Sequence, residues 1–371
     1  MKVLSVVGTR PNFIKEALIN SELKKRGIEE VLVHTGQHYD FEMSRVFFSQ
    51  LDIPEPDYHL QVSTGLAGKQ TGEMLEAIEQ ILIEEKPDVT LVYGDVTSTL
   101  AGALASAKLR IPVAHVEAGV RTTARYNPEE INRRASDVLS ELLLANCQDA
   151  YDELLKENHT GSSIVLTGDI MKDILLSTVE RFDIPVVRGN YVLCTLHRAE
   201  NVDDRHNLSC ILRGLADSRA RVVFPVHPRT RKRLEEFGLL HEFEGATNIE
   251  FTEPQGYIEF VRLLAGANKV VTDSGGVRRE AYILEKPAII AINLTWFPCI
   301  KRAGWKVVTG PDAASIADAI ANFEPPKEHP VLFGDGRAYV KIVDAIVEHF
   351  GSGEPTGDRL SSGSKGVVRK V

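Results

Sequence analysis

The sequence predicts an α/β protein made of two doubly wound, Rossmann-like domains that face each other across a cleft. Apolar strand signals alternate with helix-length segments, which is the pattern of parallel sheets covered by helices. This alternation occurs in two series, separated by a Pro-containing connection around residues 169–187. A length of 371 residues also exceeds what one ordinary core holds.

The expected boundaries follow from these two series. We expect an N-terminal domain at 1–169 and a C-terminal domain at 170–350. The closing helical segment, 330–350, is a candidate to pack back on the N-terminal domain. Residues 351–371 are rich in Gly and Ser, and we expect them to be a flexible tail.

Composition narrows the classes of function. Hydrophobic residues make up 43% of the chain and charged residues 26%, as in globular proteins. A formal charge of −9 disfavours a nucleic-acid partner, but local basic groups can still bind an anionic small molecule. We expect a cytoplasmic protein without a membrane partner, because no stretch is apolar enough to span a bilayer and no cleavable signal precedes the first strand. The cysteines form no CxxC pair and are expected to be reduced core residues: Cys147, Cys194, Cys210 and Cys299.

The first strand signal leads into a candidate anion site. Residues 3–7 form an apolar run, and Gly8 allows a tight turn into a helix that starts near Pro11. Arg10 and Lys15 lie by the start of this helix, where backbone N–H groups already favour an anion. The alternative is an ordinary strand-to-helix turn with two solvated cations.

The next strand signal also ends in polar residues. Residues 31–34 form the strand, and Gln37 and His38 follow Gly36 as hydrogen-bonding candidates, although a lone His38 is more often structural than catalytic. The other elements expected around this strand and at the end of this half are helices at 42–50 and 69–85 and strands at 142–145 and 164–168.

Three carboxylates are expected to converge in the N-terminal half. A strand at 89–93 ends on Gly94 and Asp95, a helix follows at 98–109, and a strand at 112–116 ends on Glu117. Strand, helix and strand form one parallel crossover unit, and ligands bind beyond the carboxyl ends of such strands. Glu129 opens the next helix, where the helix dipole favours a carboxylate. Capping could explain Asp95 or Glu129 alone, but three acidic groups directed at one crevice indicate proton chemistry.

The C-terminal half repeats the pattern with residues suited to a diphosphate. A strand at 269–272 is followed by Ser274, Gly275 and Gly276, which present backbone N–H groups at a helix start. One turn later, Glu280 could accept both hydroxyls of a ribose. His197 and Arg198 follow the strand at 191–196 and could donate to phosphate oxygens, and His227 follows another strand. The alternative is a strand–turn–helix corner built from small residues.

Taken together, the motifs resemble the non-hydrolysing UDP-N-acetylglucosamine 2-epimerases, from the first strand to about residue 345. They are Gly8–Pro11 with Lys15, Thr35–His38, Gly94–Asp95, His115–Gly119 with Arg121, Pro128–Glu130 with Asn132 and Arg133, His197–Arg198, Pro225–His227 and Thr272–Gly276. The versions at His227–Thr230 and Ala303–Trp305 look like the branch that includes epimerases of UDP-2,3-diacetamido-glucuronic acid.

The resemblance implies a GT-B fold, a homodimer and a cofactor-free, metal-free isomerase that interconverts UDP-GlcNAc and UDP-ManNAc. UDP would leave across C1–C2 to give a glycal and then re-add, with C2 reprotonated on the opposite face. The implied catalytic residues are Asp95, Glu117, Glu129, His197 and Lys15. The implied UDP- and substrate-binding residues are Arg10, Gln37, His38, Arg121, Arg133, Arg198, His227, Ser274, Gly275, Gly276, Glu280 and Thr295.

The sequence also departs from the resembled family. The family's usual Arg-Asp-x-Thr-Glu run reads Ile292–Trp296 here, so three charges are absent and only Thr295 remains. Arg278 stands where Gln is common, and residues 122–126 differ as well. These positions flank the sugar and diphosphate, so the alternatives are a related UDP-sugar as substrate, a GT-B glycosyltransferase, a hydrolysing epimerase or an inactive nucleotide-sugar sensor.

Overall fold

A computed structural model describes residues 1–36, 55–62, 65–122, 126–159, 162–243, 245–294 and 296–351, without the side chains of Arg10 and Pro11. The expected helix at 42–50 and all of the expected tail except Gly351 lie outside these residues. Among the described helices, none has the length and apolarity that crossing a membrane requires.

The first sheet contains seven parallel strands in the described part of the chain, in the order β3-β2-β1-β4-β5-β6-β7. The strands are β1 Lys2–Val7, β2 Glu29–His34, β3 Tyr58–His59, β4 Val89–Tyr93, β5 Val113–Ala118, β6 Leu142–Ala145 and β7 Ser163–Leu166. The described helices that connect them are α1 Arg10–Lys25, α2 Ala67–Glu85, α3 Thr97–Lys108, α4 Pro128–Leu139 and α5 Gln148–Lys156.

The second sheet contains six parallel strands among the described residues, in the order β10-β9-β8-β11-β12-β13. The strands are β8 Val192–Thr195, β9 Val222–Pro225, β10 Ile249–Thr252, β11 Lys269–Thr272, β12 Ala288–Ile290 and β13 Lys306–Val308. The helices of this half are α6 Ile170–Arg181, α7 Ala199–Val202, α8 Arg205–Asp217, α9 Pro228–Glu236, α10 Leu239–Glu242, α11 Tyr257–Gly266, α12 Gly275–Ile283, α13 Pro298–Arg302, α14 Ala313–Asn322 and α15 Ala338–Phe350.

Each sheet reverses its strand order once, and these reversals position the site. In the first sheet the reversal lies between β1 and β4, and in the second between β8 and β11. At such a point the crossovers diverge to opposite faces and leave a crevice at the carboxyl ends of the strands. Asp95 follows β4, His197 follows β8 and Ser274 follows β11, so three predicted site residues lie at these crevices.

The helix that precedes the second strand series, α6, and the helix that ends it, α15, both pack on the first sheet as well. α15 packs on α1, and Ile342, Val343 and Ile346 share a buried cluster with the first sheet. α6 contributes Ile170 to that cluster and Leu175 to the core of the second sheet. We propose the division into domains 1–169 and 170–350, with α15 returning to the N-terminal domain.

The predicted α/β class with two parallel sheets is confirmed, and one predicted boundary is wrong by more than two residues. The closing helix begins at Ala338 rather than at residue 330. Gly334 and Gly336 have φ values of +78° and +87°, and this left-handed backbone cannot continue a right-handed helix. The cysteines are free thiols as expected, with Cys147, Cys194 and Cys299 buried and Cys210 partly buried.

Candidate active site

A cavity of about 310 Å³ lies between the carboxyl ends of β4 and β5 in the first sheet and the start of α12 in the second. Its polar and aromatic lining comes from both halves of the chain. The residues used below are Lys15, Gly94, Asp95, Glu117, Arg133, Arg198, Gly275, Gly276, Arg279, Trp296 and Phe297.

Asp95 enters this cavity from the turn after β4. Gly94 makes the turn with φ +65°, and a Cβ at Gly94 would lie 3.4 Å from Glu117 Oε2. Arg133, one turn into α4, forms an ion pair with the Asp95 carboxylate. Asn132 Nδ2 donates to the Asp95 carbonyl oxygen at 2.9 Å. The start of α4 therefore holds both the backbone and the side chain of Asp95.

Glu117 lies between two cations. Its φ is +68° at a register shift in β5, a conformation that non-glycine residues seldom adopt. Lys15 Nζ contacts Glu117 Oε2, and Arg279 Nη1 donates to Oε1 at 2.8 Å. Burial alone would raise the pKa of Glu117, but Lys15 and Arg279 outweigh burial and lower this pKa to about 2. Glu117 is therefore ionised while both cations are in place.

Arg279 joins the two halves of the chain at this site. It belongs to α12, yet Nη1 also donates to Oδ2 of Asp169, which follows the last strand of the first sheet, at 2.7 Å. Burial opposes the charge of Arg279, but Asp169 and Glu117 raise its pKa above the ordinary value. Burial raises the pKa of Asp169, and the neighbouring Glu117 adds to this shift. Buried ion pairs of Arg279 thus connect the two halves of the chain at this site.

Glu129 occupies the first turn of α4, as expected, but it does not line this cavity. Among the described residues its carboxylate has no hydrogen-bond partner. The adjacent Glu130 is instead buried and accepts from Arg133 at 3.1 Å and from Arg134 at 3.0 Å. The catalytic role of Glu129 remains a prediction.

Asp273 organises the strand ends of the second sheet. The backbone N–H groups of His197 and Arg198 each donate to Asp273 at 3.1 Å, and His197 Nδ1 lies 3.5 Å from Asp273 Oδ1. Burial lowers the pKa of His197, opposed by Asp273 and reinforced by Arg198 and His227. The ring centroids of His197 and His227 are 5.9 Å apart.

The first backbone N–H groups of α12 lie at the cavity. Ser274 caps the helix by accepting from Val277 N at 3.3 Å. Gly275 and Gly276 are the first two helical residues, so their N–H groups have no intrahelical acceptor. A Cβ at Gly275 would lie 3.8 Å from the Trp296 ring, an ordinary contact. Packing therefore does not require glycine at this position, and a ligand that approaches the backbone closely would.

Two arginines flank Trp296 near the same helix start. The Cζ atoms of Arg198 and Arg278 lie 4.5 and 4.8 Å from the indole ring, within cation–π distance. Arg278 is fully buried and donates to three backbone oxygens, the nearest being Ser274 O at 3.0 Å. Burial, followed by the charge of Arg198, lowers the pKa of Arg278 to about 10.

Comparison with known proteins identifies the family to which this sequence belongs. The family model described as UDP-N-acetylglucosamine 2-epimerase matches residues 21–347. A Methanococcus maripaludis protein named UDP-N-acetylglucosamine 2-epimerase homolog is 43% identical over 93% of this chain and 99% of its own length. The chain belongs to the UDP-N-acetylglucosamine 2-epimerase family.

Other members of the epimerase family are also similar to this chain. A Pseudomonas aeruginosa UDP-2,3-diacetamido-2,3-dideoxy-D-glucuronate 2-epimerase is 38% identical over 94% of this chain and 100% of its own. The crystal structure of Methanocaldococcus jannaschii UDP-GlcNAc 2-epimerase in complex with UDP-GlcNAc and UDP has a TM-score of 0.85 at 37% identity, covering 94% of this chain and 100% of its own.

The expected GT-B fold of the epimerase family is confirmed. Phytolacca americana UGT2, complexed with UDP-2fluoro-glucose and pterostilbene, has a TM-score of 0.55 at 12% identity and covers 93% of each chain. At that identity the similarity shows the fold alone. Together with the M. jannaschii epimerase it supports two facing Rossmann-like domains.

Some residues predicted from the epimerase resemblance lie away from the cavity. Arg121 Nη2 contacts Asp137 at 2.7 Å, and its Nε donates to Glu157 at 2.8 Å. Glu280 is buried on α12, where burial, opposed by Arg279, raises its pKa to about 7. His227 caps α9, with Nδ1 accepting from Arg229 N at 3.2 Å. Gln37, His38, Thr295 and the side chain of Arg10 lie outside the described residues.

Sequence reasoning missed Asn132, Asp169, Arg279 and Trp296 as components of this site. Trp296 was noted only as a departure from the family's usual acidic residue. Two arginines directly after Ser274–Val277 were a signal, since a cation pair is unusual on the buried face of a helix. The sequence alone did not indicate that Arg279, rather than Arg278, reaches the carboxylates.

Proposed function

We propose that this protein is a non-hydrolysing UDP-N-acetylglucosamine 2-epimerase that interconverts UDP-GlcNAc and UDP-ManNAc. One observation carries the proposal. The carboxylates of Asp95 and Glu117 share a cavity with Arg198 and with the open helix start at Gly275 and Gly276. The candidate proton-transfer groups and the candidate diphosphate site therefore line the same cavity. The relatives named above support this activity.

The reaction begins with elimination. A carboxylate removes the proton from C2, the C–H electron pair becomes the C1=C2 double bond, and the C1–O bond breaks so that UDP leaves with its electron pair. Asp95 is the better candidate base, because its side chain is 29% exposed and, within the described part of the chain, pairs with one cation, Arg133. Glu117 contacts two cations and is a weaker base while they remain bound.

Protonation of C2 on the opposite face of the ring inverts the configuration at this carbon. UDP attacks C1 through the same oxygen while C2 accepts a proton from the other side of the ring. A second acid is needed there, and Glu129 is our candidate because it opens α4 beside Asn132 and Arg133, which hold Asp95. The two faces of one planar intermediate thus require two separate groups.

The departing UDP carries negative charge that the C-terminal half can stabilise. We propose that Ser274, Gly275 and Gly276 bind the diphosphate through backbone N–H groups at the start of α12. Lys15, His197 and Arg198 add donors from neighbouring strand ends. Glu280 is proposed for the ribose hydroxyls, as expected from the sequence.

Proton NMR in deuterated water with UDP-GlcNAc tests the proposal. Deuterium at C2 together with a UDP-ManNAc signal is expected. Asp95→Asn should lower the exchange rate by about 100-fold or more, since a positioned general base contributes about 10²- to 10⁴-fold. Glu84→Gln, which alters an exposed carboxylate on α2, should match the parent protein.

The same spectra separate the rival functions. Free ManNAc and UDP would indicate a hydrolysing epimerase. Absence of exchange without an added acceptor, but product formation with one, would indicate a glycosyltransferase. Binding of UDP-GlcNAc with no exchange, unchanged by Asp95→Asn, would indicate a sensor and contradict the proposal.

A second candidate substrate is UDP-2,3-diacetamido-glucuronic acid. The specific observation is the flanking of Trp296 by Arg198 and Arg278, which adds positive charge near the cavity, where a uronic acid would bring a carboxylate. The P. aeruginosa relative carries this activity in its name. Exchange at C2 with this sugar but not with UDP-GlcNAc would select it.

We further propose a cytoplasmic homodimer that supplies a sugar for cell-surface polysaccharide synthesis. The buried free thiols fit a reducing compartment. Light scattering of the purified protein measures the assembly directly, and a monomeric mass would contradict the homodimer.

A further inference from the structure

His115 lies at the centre of β5 and is fully buried. Both of its ring nitrogens are engaged. Nδ1 lies 2.6 Å from Asp137 Oδ1, and Nε2 lies 2.7 Å from the carbonyl oxygen of Gly94. The sequence showed this histidine only as part of a motif, and the reaction outlined above assigns it no task.

The two hydrogen-bond partners of His115 determine which of its ring nitrogens donate. A carboxylate oxygen and a peptide carbonyl oxygen both accept, so each ring nitrogen must donate. Both ring nitrogens of this buried histidine therefore face acceptor oxygens, one from a helix and one from the turn after β4. Burial alone would raise the pKa of Asp137, but His115 and Arg121 outweigh burial and lower it, so this carboxylate is ionised and accepts hydrogen bonds from both.

This buried pair contacts both turns that bear the candidate carboxylates. Gly94 directly precedes Asp95, and its carbonyl is the one that His115 contacts. Asp137 Oδ2 accepts from Gly119 N at 3.1 Å, two residues after Glu117. Gly94 and Gly119 have φ values of +65° and +81°, so these turns need anchors beyond the strand ladder.

We propose that His115 is a positioning residue for the reaction at C2, acting on Asp95 through the Gly94 carbonyl. The proposal rests on the proposed epimerase function for its catalytic consequence. A displacement of about 1 Å in a catalytic group can lower a rate by about 100-fold. The hydrogen bond from Nε2 fixes the peptide plane between Gly94 and Asp95, and Asn132 fixes the next carbonyl along the chain.

Two substitutions separate positioning from a general structural role. Gln places its amide nitrogen near the position of Nε2, so His115→Gln retains a donor to Gly94 and loses the one to Asp137. Asn places its amide nitrogen near Nδ1, so His115→Asn retains the donor to Asp137 and loses the one to Gly94. Both variants replace the imidazole ring with an uncharged amide, which makes each the control for the other.

The first measurement is solvent deuterium exchange at C2, with UDP binding as a control. We expect His115→Asn to lower the rate about 10- to 100-fold and His115→Gln to stay within about threefold of the parent protein. UDP affinity should change by less than about twofold in both, because UDP binds mainly to the other half. A parent-like rate in His115→Asn overturns the proposal, and so does an equal loss in both variants.

The second measurement does not depend on the reaction. Amide hydrogen exchange of the peptide spanning residues 94–97 should be faster in His115→Asn and unchanged in His115→Gln. Equal exchange in the parent protein and both variants overturns the positioning role. If the parent protein incorporates no deuterium at C2 of the sugar, the proposed epimerase function is wrong. The amide exchange measurement still decides whether His115 holds the turn at Gly94.

Discussion

Glu117, Lys15 and Arg279 show how single charges control the site. Two cations from different halves of the chain contact one carboxylate and lower its pKa to about 2. A substrate diphosphate would compete for the same cations. As Lys15 or Arg279 turns toward the diphosphate, Glu117 loses its partners and becomes a stronger base. We propose that substrate binding and proton transfer are coupled through this exchange of partners.

Replacing Arg279 tests this charge balance. In Arg279→Gln the pKa of Glu117 should rise from about 2 towards its ordinary value of 4.5, because one of two cations is lost. The titration is followed by NMR of ¹³C-labelled glutamate carboxylates, with Glu117→Gln to assign the signal. Arg213→Gln, an exposed arginine of α8, should leave the titration unchanged.

The same variant changes acid stability in a defined direction. The folded-state pKa of Glu117 is depressed, so its ion pairs stabilise the fold fully above pH 4.5 and lose this effect as the pH falls towards 2. In Arg279→Gln the pH range over which this stability is lost should become narrower and lie nearer pH 4.5, because the folded-state pKa of Glu117 is then closer to its unfolded-state value. Urea unfolding at a series of pH values measures it, and an unchanged pH slope would contradict the assignment.

The start of α12 shows what one element contributes. A strand end, a serine cap and two glycines place backbone donors at the cavity. The glycines are not required by the protein's own packing, since a Cβ at Gly275 or Gly276 would make ordinary contacts at 3.8 and 3.9 Å. Their proposed requirement comes from the approaching diphosphate.

Substitutions at this helix start should separate stability from binding. Gly275→Ala should leave the free energy of unfolding unchanged or raise it by up to about 1 kcal/mol, because alanine favours helix. UDP affinity should fall by about tenfold or more, since about 1.4 kcal/mol of lost contact is tenfold. Calorimetry measures both quantities.

Ser274→Ala provides the matched comparison. It removes the cap on Val277 N and should lower the free energy of unfolding by about 1 kcal/mol. If Gly275→Ala bound UDP as tightly as the parent protein, the diphosphate would not lie at this helix start.

At the scale of the whole molecule, the chain ends by returning to its first domain. α15 follows every strand of the second sheet, yet its apolar face completes the core of the first. The packing of α15 on the first domain and the contacts of Arg279 with Glu117 and Asp169 therefore both connect the two halves of the chain.

Truncation of one side chain of α15 measures its contribution. Ile342 is fully buried, and Ile342→Ala should lower the free energy of unfolding by about 2–5 kcal/mol through lost burial and a cavity. Val331→Ala, at a position 74% exposed, should change it by less than about 0.5 kcal/mol. Equal effects in a urea titration would show that α15 does not support the core.

The sequence by itself determined the fold class and the strand ends that meet at the cleft. Asp95, Glu117, His197 and Ser274 could be predicted because parallel strands bring their carboxyl ends to one edge, whatever the details of packing. Apolar runs that alternate with helix-length segments predict that arrangement, and the sequence motifs indicate the family.

Only the tertiary structure decided which side chains meet across the cleft. Arg278 and Arg279 are adjacent and chemically identical, yet one contacts backbone oxygens and Trp296 while the other pairs with Glu117 and Asp169. The pairing of His115 with Asp137 likewise joins a strand to a helix 22 residues away. Periodicity assigns residues to elements, but the rotation of a helix against its partner domain depends on packing from distant parts of the chain.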